Sequence, residues 1–168
     1  TSPRAFMEAA MESGASREQL LQAADITPDQ IDDPAGRLSL QETWKLGAAA
    51  LSLTGNGSLG FASGDRMPLT AYGNLGYALM CAGTPREAIA ILERFWHLRG
   101  RGAQLMVSES EDRLFMELVL ELSAPDALRD MLMSSMLTSM YRGIEFLIPQ
   151  LPEQRQIWLY GEEPSGFD

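Results

Sequence analysis

Three groupings in this chain have residue types and spacings that chemistry would require. The segment Gly55-Asn56-Gly57-Ser58-Leu59-Gly60 satisfies G-x-G-x-x-G. That pattern cradles a pyrophosphate when a strand leads into it and an acidic residue about 20 positions on meets the ribose. Here a helical pattern leads in and the region near Met80 carries no acid, so the expected role is a turn that ends a helix. Asn56-Gly57-Ser58 is also formally a glycosylation sequon, with no role in a cytosolic protein. Serine hydrolysis needs a nucleophile, a histidine base and an orienting acid. His97 is the only histidine, and Asn56 stands where a nucleophile elbow before Ser58 would have glycine. One histidine and one cysteine make a poor transition-metal set. The paired acids Asp32-Asp33, Glu111-Asp112 and Glu162-Glu163 fall in apparent turns, where solvated charge is the usual state. No reaction, cofactor or metal is expected.

Two features remain as parts of a ligand site. Arg94, His97, Arg99 and Arg101 concentrate positive charge at a helix end and a glycine-flanked exit, in an otherwise acidic chain. Arginine forks there would hold a carboxylate or phosphate in two-point contact. The same cations would also complement the negative end of a helix while staying in water. Met131, Met133, Met136 and Met140 are dense on a long helical segment, with Met116 on a facing strand. Flexible thioethers line an adaptable apolar pocket well, and they serve equally as plain core. A cationic rim over an apolar cavity would suit an amphipathic acid. The candidate ligand-binding residues are therefore Arg94, His97, Arg99, Arg101, Met116, Met136 and Met140.

The elements that would position them follow from local chemistry. Ser2-Pro3 opens a helix that Gly14 closes, and Ser16 with Gln19 opens another. Thr27-Pro28-Asp29-Gln30 begins a short turn of helix ending before Pro34, and Ser39 with Glu42 caps a longer helix whose face carries Trp44, Leu46, Ala48, Leu51 and Leu53. A helical piece around Leu59–Ala62 follows, and then Thr70 is expected to cap a helix ending at Gly83 in a positive-φ conformation. Cys81 reads as a buried thiol within that helix. Thr84, Pro85 at the first helical position and Glu87 restart the chain, with Ala88, Ile89, Leu92, Phe95 and Trp96 on one face. After Gly100-Arg101-Gly102 the apolar period drops to two: Ala103, Leu105 and Val107, then, beyond the polar tip Ser110-Glu111-Asp112, Leu114, Met116, Leu118, Leu120 and Leu122. Ser123 and Pro125 begin a long helix to about Leu147, and Arg155–Tyr160 alternates as a further strand. Glu162-Glu163-Pro164-Ser165-Gly166 reads as a linker. The sum is an α+β fold, a helical N-terminal half followed by a hairpin, a long helix and a strand completing a small sheet.

Size and charge narrow the class. A chain of 168 residues is expected to form one domain and to bury roughly 70% of the surface its unfolded form exposes. Against 23 acidic residues stand 13 basic ones, and the net charge of −10 repels a phosphate backbone. One cysteine excludes an internal disulfide and suits a reducing cytoplasm. No apolar run approaches the ~20 residues that span a bilayer, and Thr1–Gly14 is too acidic for a signal peptide.

The run Leu75-Gly76-Tyr77-Ala78-Leu79, then Thr84, Arg86-Glu87-Ala88, Leu92 and Arg94-Phe95, resembles the N-terminal effector domain of one branch of AraC-type transcriptional regulators. Asp33-Pro34 with Arg37-Leu38-Ser39-Leu40, Leu53-Thr54-Gly55-Asn56 and Leu59-Gly60-Phe61 are similar to the earlier blocks of that family, in the same order. The resemblance covers Arg17 to Tyr160 and rests on order and spacing, since each block is made of common helix residues. It implies a small-molecule sensor that pairs as a homodimer and performs no reaction. It also implies that DNA is reached only through a pair of helix-turn-helix units that this segment does not include. A dimerisation or protein-docking module without a small-molecule ligand is the second reading.

Overall fold

The computed structural model describes residues 2–33, 38–99, 102–110, 113–121 and 123–149. Among them, side-chain capping sets four of the eight α-helix starts. Ser16, Thr27 and Ser39 each accept from the N–H three residues on, and Gln19, Gln30 and Glu42 reach back to the N–H of the capping residue. Each reciprocal pair satisfies two donors that a helix end leaves open. These caps begin α2 (Arg17–Ala24), α3 (Pro28–Asp32) and α4 (Leu40–Thr54), after α1 (Ser2–Glu12). Next come α5 (Leu59–Asp65), a 3-10 turn at Leu69–Tyr72, α6 (Asn74–Met80) and α7 (Pro85–Phe95), which runs into a 3-10 turn at Trp96–Leu98. The hairpin strands β1 (Ala103–Ser110) and β2 (Arg113–Leu120) precede α8 (Asp126–Leu147). Among the described residues, eight α-helices and a two-stranded antiparallel sheet make an α+β fold, as the pattern of periods predicts. None of the helices is long and apolar enough to cross a membrane.

Two cores share α8. The first gathers Phe6, Leu20, Leu46, Leu59 and Met131 from α1, α2, α4, α5 and the first half of α8. There α5 lies directly on α8. A Cβ on Gly60 would sit 2.4 Å from the Met131 carbonyl oxygen, and one on Gly64 2.5 Å from that of Ser135, so neither position admits a side chain. Between them the Ser63 hydroxyl donates to the Gly60 carbonyl (2.9 Å) and shares a hydrogen bond with Ser135 (3.0 Å).

The second core joins Tyr72, Leu75, Leu79, Ala88, Leu92, Trp96, Ala103, Leu105 and Met140 from α6, α7, the hairpin and the second half of α8. In the hairpin, Ala103, Leu105 and Val107 stand opposite Leu120, Leu118 and Met116 on the inner face. The buried Trp96 indole N–H donates to the Ala103 carbonyl at 2.9 Å and ties helix to strand.

Five local expectations are corrected. Cys81 is exposed, because Gly73, at φ 62°, restarts the chain at Asn74 and α6 is spent by Met80. For the same reason Thr70 lies inside a 3-10 turn and caps no α-helix. Among the described residues the positive-φ glycines are Gly14, Gly55, Gly73 and Gly102, not Gly83. At Gly83 the N–H instead donates to the Glu87 carboxylate (2.8 Å), one residue earlier than a regular capping box, while Thr84 caps the Glu87 N–H as expected. Phe95 is exposed while Ala88, Leu92 and Trp96 are buried, since Trp96 has left the α-helical spiral for a 3-10 turn. On α4, Ala48 and Leu53 face water and Gly47, Ala49 and Ala50 are buried beside Leu46. That helix meets neighbours on two sides, and close approach favours its small residues. The strand expected at Arg155–Tyr160, the linker at Glu162–Gly166, the tip acids Glu111-Asp112 and Leu122 lie outside the described residues.

Candidate functional site

A crevice opens where α7, the Leu69–Tyr72 turn and the last turns of α8 meet. Leu69 and Tyr72 form one wall, Ala88, Ile89 and Leu92 of α7 another, and Met140, Ile144 and Leu147 of α8 the third, with Leu79 behind them. The α7 residues reach it because their three- and four-residue spacing keeps them on one helix face. On α8, Gly143 gives Leu69 room, since a Cβ there would come within 3.2 Å of Leu69 Cδ1. The centre of a water-sized sphere can move within about 30 Å³, and the empty space is about 420 Å³ when the part open to solvent is counted.

The wall is apolar but for two hydroxyls. Tyr72 Oη and Ser139 Oγ meet at 2.8 Å, both buried. Burial raises the Tyr72 pKa above its ordinary value of 10.0, against smaller opposing effects of the Ser139 hydrogen bond and the Arg99 charge. The Arg99 guanidinium carbon stands 4.8 Å from the Tyr72 ring centroid, a cation–π contact, and its Nη2 lies 3.3 Å from Met67 Sδ. Arg99 is half-buried as a residue while its Nε is shielded from water. Burial also lowers the pKa of this guanidinium, which the Tyr72 interaction partly offsets.

The charged candidates therefore part company. Arg94 is exposed over its neighbour Phe95, with 5.4 Å from guanidinium carbon to ring centroid, and His97 is exposed with its ring 6.5 Å from that of Phe95. Arg99 turns inward to Tyr72, and Arg101 lies outside the described residues. The methionines converge better. Met140 lines the crevice, and Met136 and Met116 pack into the same second core, while Met131 belongs to the first. Sequence reasoning missed Tyr72, Ser139 and Gly143. The serines Ser134, Ser135 and Ser139, polar groups on the buried side of α8, were the clue in the sequence.

The Gly55–Gly60 segment is the helix-ending turn expected. Gly55 closes α4 at φ 61°, Asn56 Oδ1 accepts from the Ser58 N–H (2.9 Å), and Gly60 is pressed onto α8. No phosphate could enter between Gly60 and the Met131 carbonyl. Among the described residues, no three His, Cys, Asp or Glu side chains cluster as a metal would need. Asp32 is instead paired with Arg17 at 2.6 Å.

A family match spans nearly the whole chain, and known regulators align to 60–68% of it. The family described as the N-terminal arabinose-binding domain of AraC transcription regulators matches residues 14–168. The ornithine utilization regulator of Pseudomonas aeruginosa is 33% identical over 101 residues, covering 60% of this chain and 30% of that protein. Uncharacterised HTH-type transcriptional regulators of Mycobacterium bovis and Mycobacterium tuberculosis are each 29% identical over 116 residues, covering 68% of this chain and 34% of theirs. The aligned stretch thus amounts to about a third of the length of these relatives. The chain belongs to the family of N-terminal, arabinose-binding domains of AraC transcription regulators.

Proposed function

We propose that residues 1–168 act as one effector-sensing domain of a cytoplasmic AraC-type regulator, binding a small metabolite in the crevice between α7 and α8 and working as a homodimer. DNA is contacted only by helix-turn-helix units elsewhere in the regulator. The family match supports a ligand-sensing, regulatory role. The observation that carries the site is the apolar crevice itself, walled by Met140 and Ile144 with Tyr72 at its base. An amphipathic acid remains the ligand class that the sequence favours. Met116 and Met136 would adapt the wall around it, and Arg99 would lend positive potential through Tyr72, with Arg94, His97 and Arg101 nearer the surface.

Mechanism follows from linkage. A metabolite bulkier than the open space already present would enter by α7 and the end of α8 parting. A ligand that binds the parted arrangement shifts the regulator toward it by no more than its differential affinity. Operator affinity of the full-length regulator, measured across a panel of organic acids, tests this reading: at least one acid should change it severalfold, and an unchanged affinity across the panel would remove the sensing role.

The docking alternative draws on one observation. Met106, Phe115 and Val119 are exposed on the outer face of the hairpin. Charged substitutions there that abolish dimerisation, together with a ligand-insensitive regulator, would favour it.

A further inference from the structure

We infer that the part of the effector buried in the crevice is a hydrocarbon or aromatic body with no hydrogen-bonding group, any polar head staying in the solvent-open mouth. This rests on the sensing reading above and narrows its ligand class. It separates this chain from the sugar in its family's description and from the ornithine in the name of one relative.

Hydrogen-bond supply is the reason. Among the described residues the crevice wall is formed by apolar side chains, with Tyr72 and Ser139 as its side-chain hydroxyls, and these two share one hydrogen bond at 2.8 Å in a buried position. A polyol entering here would strip water from several hydroxyls and meet only this one pair, whose single unshared O–H and remaining lone pairs are too few to replace that water. An amino acid would bring two or more charges into the same surroundings. Either loss is far larger than the gain from contact. An alkyl or aryl group meets no such penalty, and Met140 adapts to its shape.

Gly143 offers a substitution that separates binding from folding. Its added methyl in Gly143→Ala would point at Leu69 Cδ1, the far end of a crevice-wall side chain with empty space to yield into. Alanine also favours the helix more than glycine does. The variant should therefore melt no lower than the wild type while narrowing the crevice.

The test is saturable binding to the chain 1–168, read by calorimetry and thermal shift, with hexanoate, heptanoate, octanoate, 1-octanol, L-arabinose and L-ornithine as probes. Octanoate and 1-octanol should both bind, and affinity should rise about three- to fourfold per methylene along the acid series. Gly143→Ala should weaken octanoate about three- to fourfold, the effect of withholding roughly one methylene of burial, without lowering the melting temperature. If L-arabinose or L-ornithine binds instead and Gly143→Ala weakens it, the apolar class is overturned while sensing in the crevice stands. Binding of octanoate that has no dependence on chain length, or that Gly143→Ala leaves intact, overturns the inference as well. Absence of binding by every probe overturns it too, and the sensing role is then decided by the operator measurement on the full regulator.

Discussion

The two cores along α8 are built on opposite plans. On the first half of the helix, Gly60 and Gly64 let α5 touch the α8 backbone, and Leu20, Leu46, Leu59 and Met131 are at most 1% exposed. On the second half, large side chains meet around a crevice, and a tyrosine, a serine and an arginine guanidinium share the interior. Interiors packed to crystal-like density have discrete arrangements rather than continuous give. The first core is thus the closely packed base, and the second borders the empty space into which side chains have room to shift. Because one unbroken helix belongs to both, a change around Met140 and Leu147 is referred to a rigid frame.

Substitutions that attack the base should cost the most. Gly60→Val forces branched carbon into a carbonyl 2.4 Å from its Cβ, and the loss should exceed about 4 kcal/mol, in the range where folding itself fails. Far-ultraviolet circular dichroism and urea unfolding would read it, and a variant as stable as the wild type would break the contrast between the cores. Truncation sharpens the same contrast. Leu59→Ala in the base should cost about 3–4 kcal/mol, while Met140→Ala, beside existing empty space, should cost about 2 kcal/mol or less. Equal losses in paired denaturation curves would show the second core to be as tight as the first.

The buried hydroxyl pair comes next. Ser139→Ala orphans the Tyr72 hydroxyl and should cost about 1–3 kcal/mol, whereas Tyr72→Phe/Ser139→Ala together should recover part of that loss. Its pH dependence has a definite sign. The folded pKa of Tyr72 lies above the unfolded value of 10.0, so the folded state holds its proton longer. This contribution is intact below pH 10.0 and is lost as pH rises toward the folded pKa. An alkaline spectrophotometric titration should show one tyrosine ionising later than the rest, and Tyr72→Phe should remove that late component. The smallest effect belongs to the surface of the base: Ser39→Ala removes a helix cap and should cost about 1 kcal/mol, visible as a small fall in the urea midpoint without a change in slope.

What the sequence revealed tracks how local the physics is. Ser16/Gln19, Thr27/Gln30 and Ser39/Glu42 are legible because a cap and its partner are three residues apart. The hairpin is legible because Ala103–Val107 and Met116–Leu120 change the apolar period. Facing was harder. Ala48, Phe95 and Cys81 were placed inside by pattern, and the neighbours that decide burial lie far away in the chain. The site was least legible, since Tyr72 and Ser139 are 67 residues apart and neither type announces a pocket. Met140 was found because thioether density is visible in one dimension. The cationic group was read as one cluster because Arg94, His97 and Arg99 are sequence neighbours, yet the switch from α7 to a 3-10 turn sends Arg99 toward Tyr72 and leaves the other two in water.

The bond from the Trp96 indole to the Ala103 carbonyl gives the molecule an optical reporter. That ring sits among the residues of the second core, and its emission depends on being kept dry and anchored at the junction of helix and strand. With Trp44 and Trp158 replaced by phenylalanine, a single fluorophore would register in real time whether the hairpin stays seated when a guest arrives.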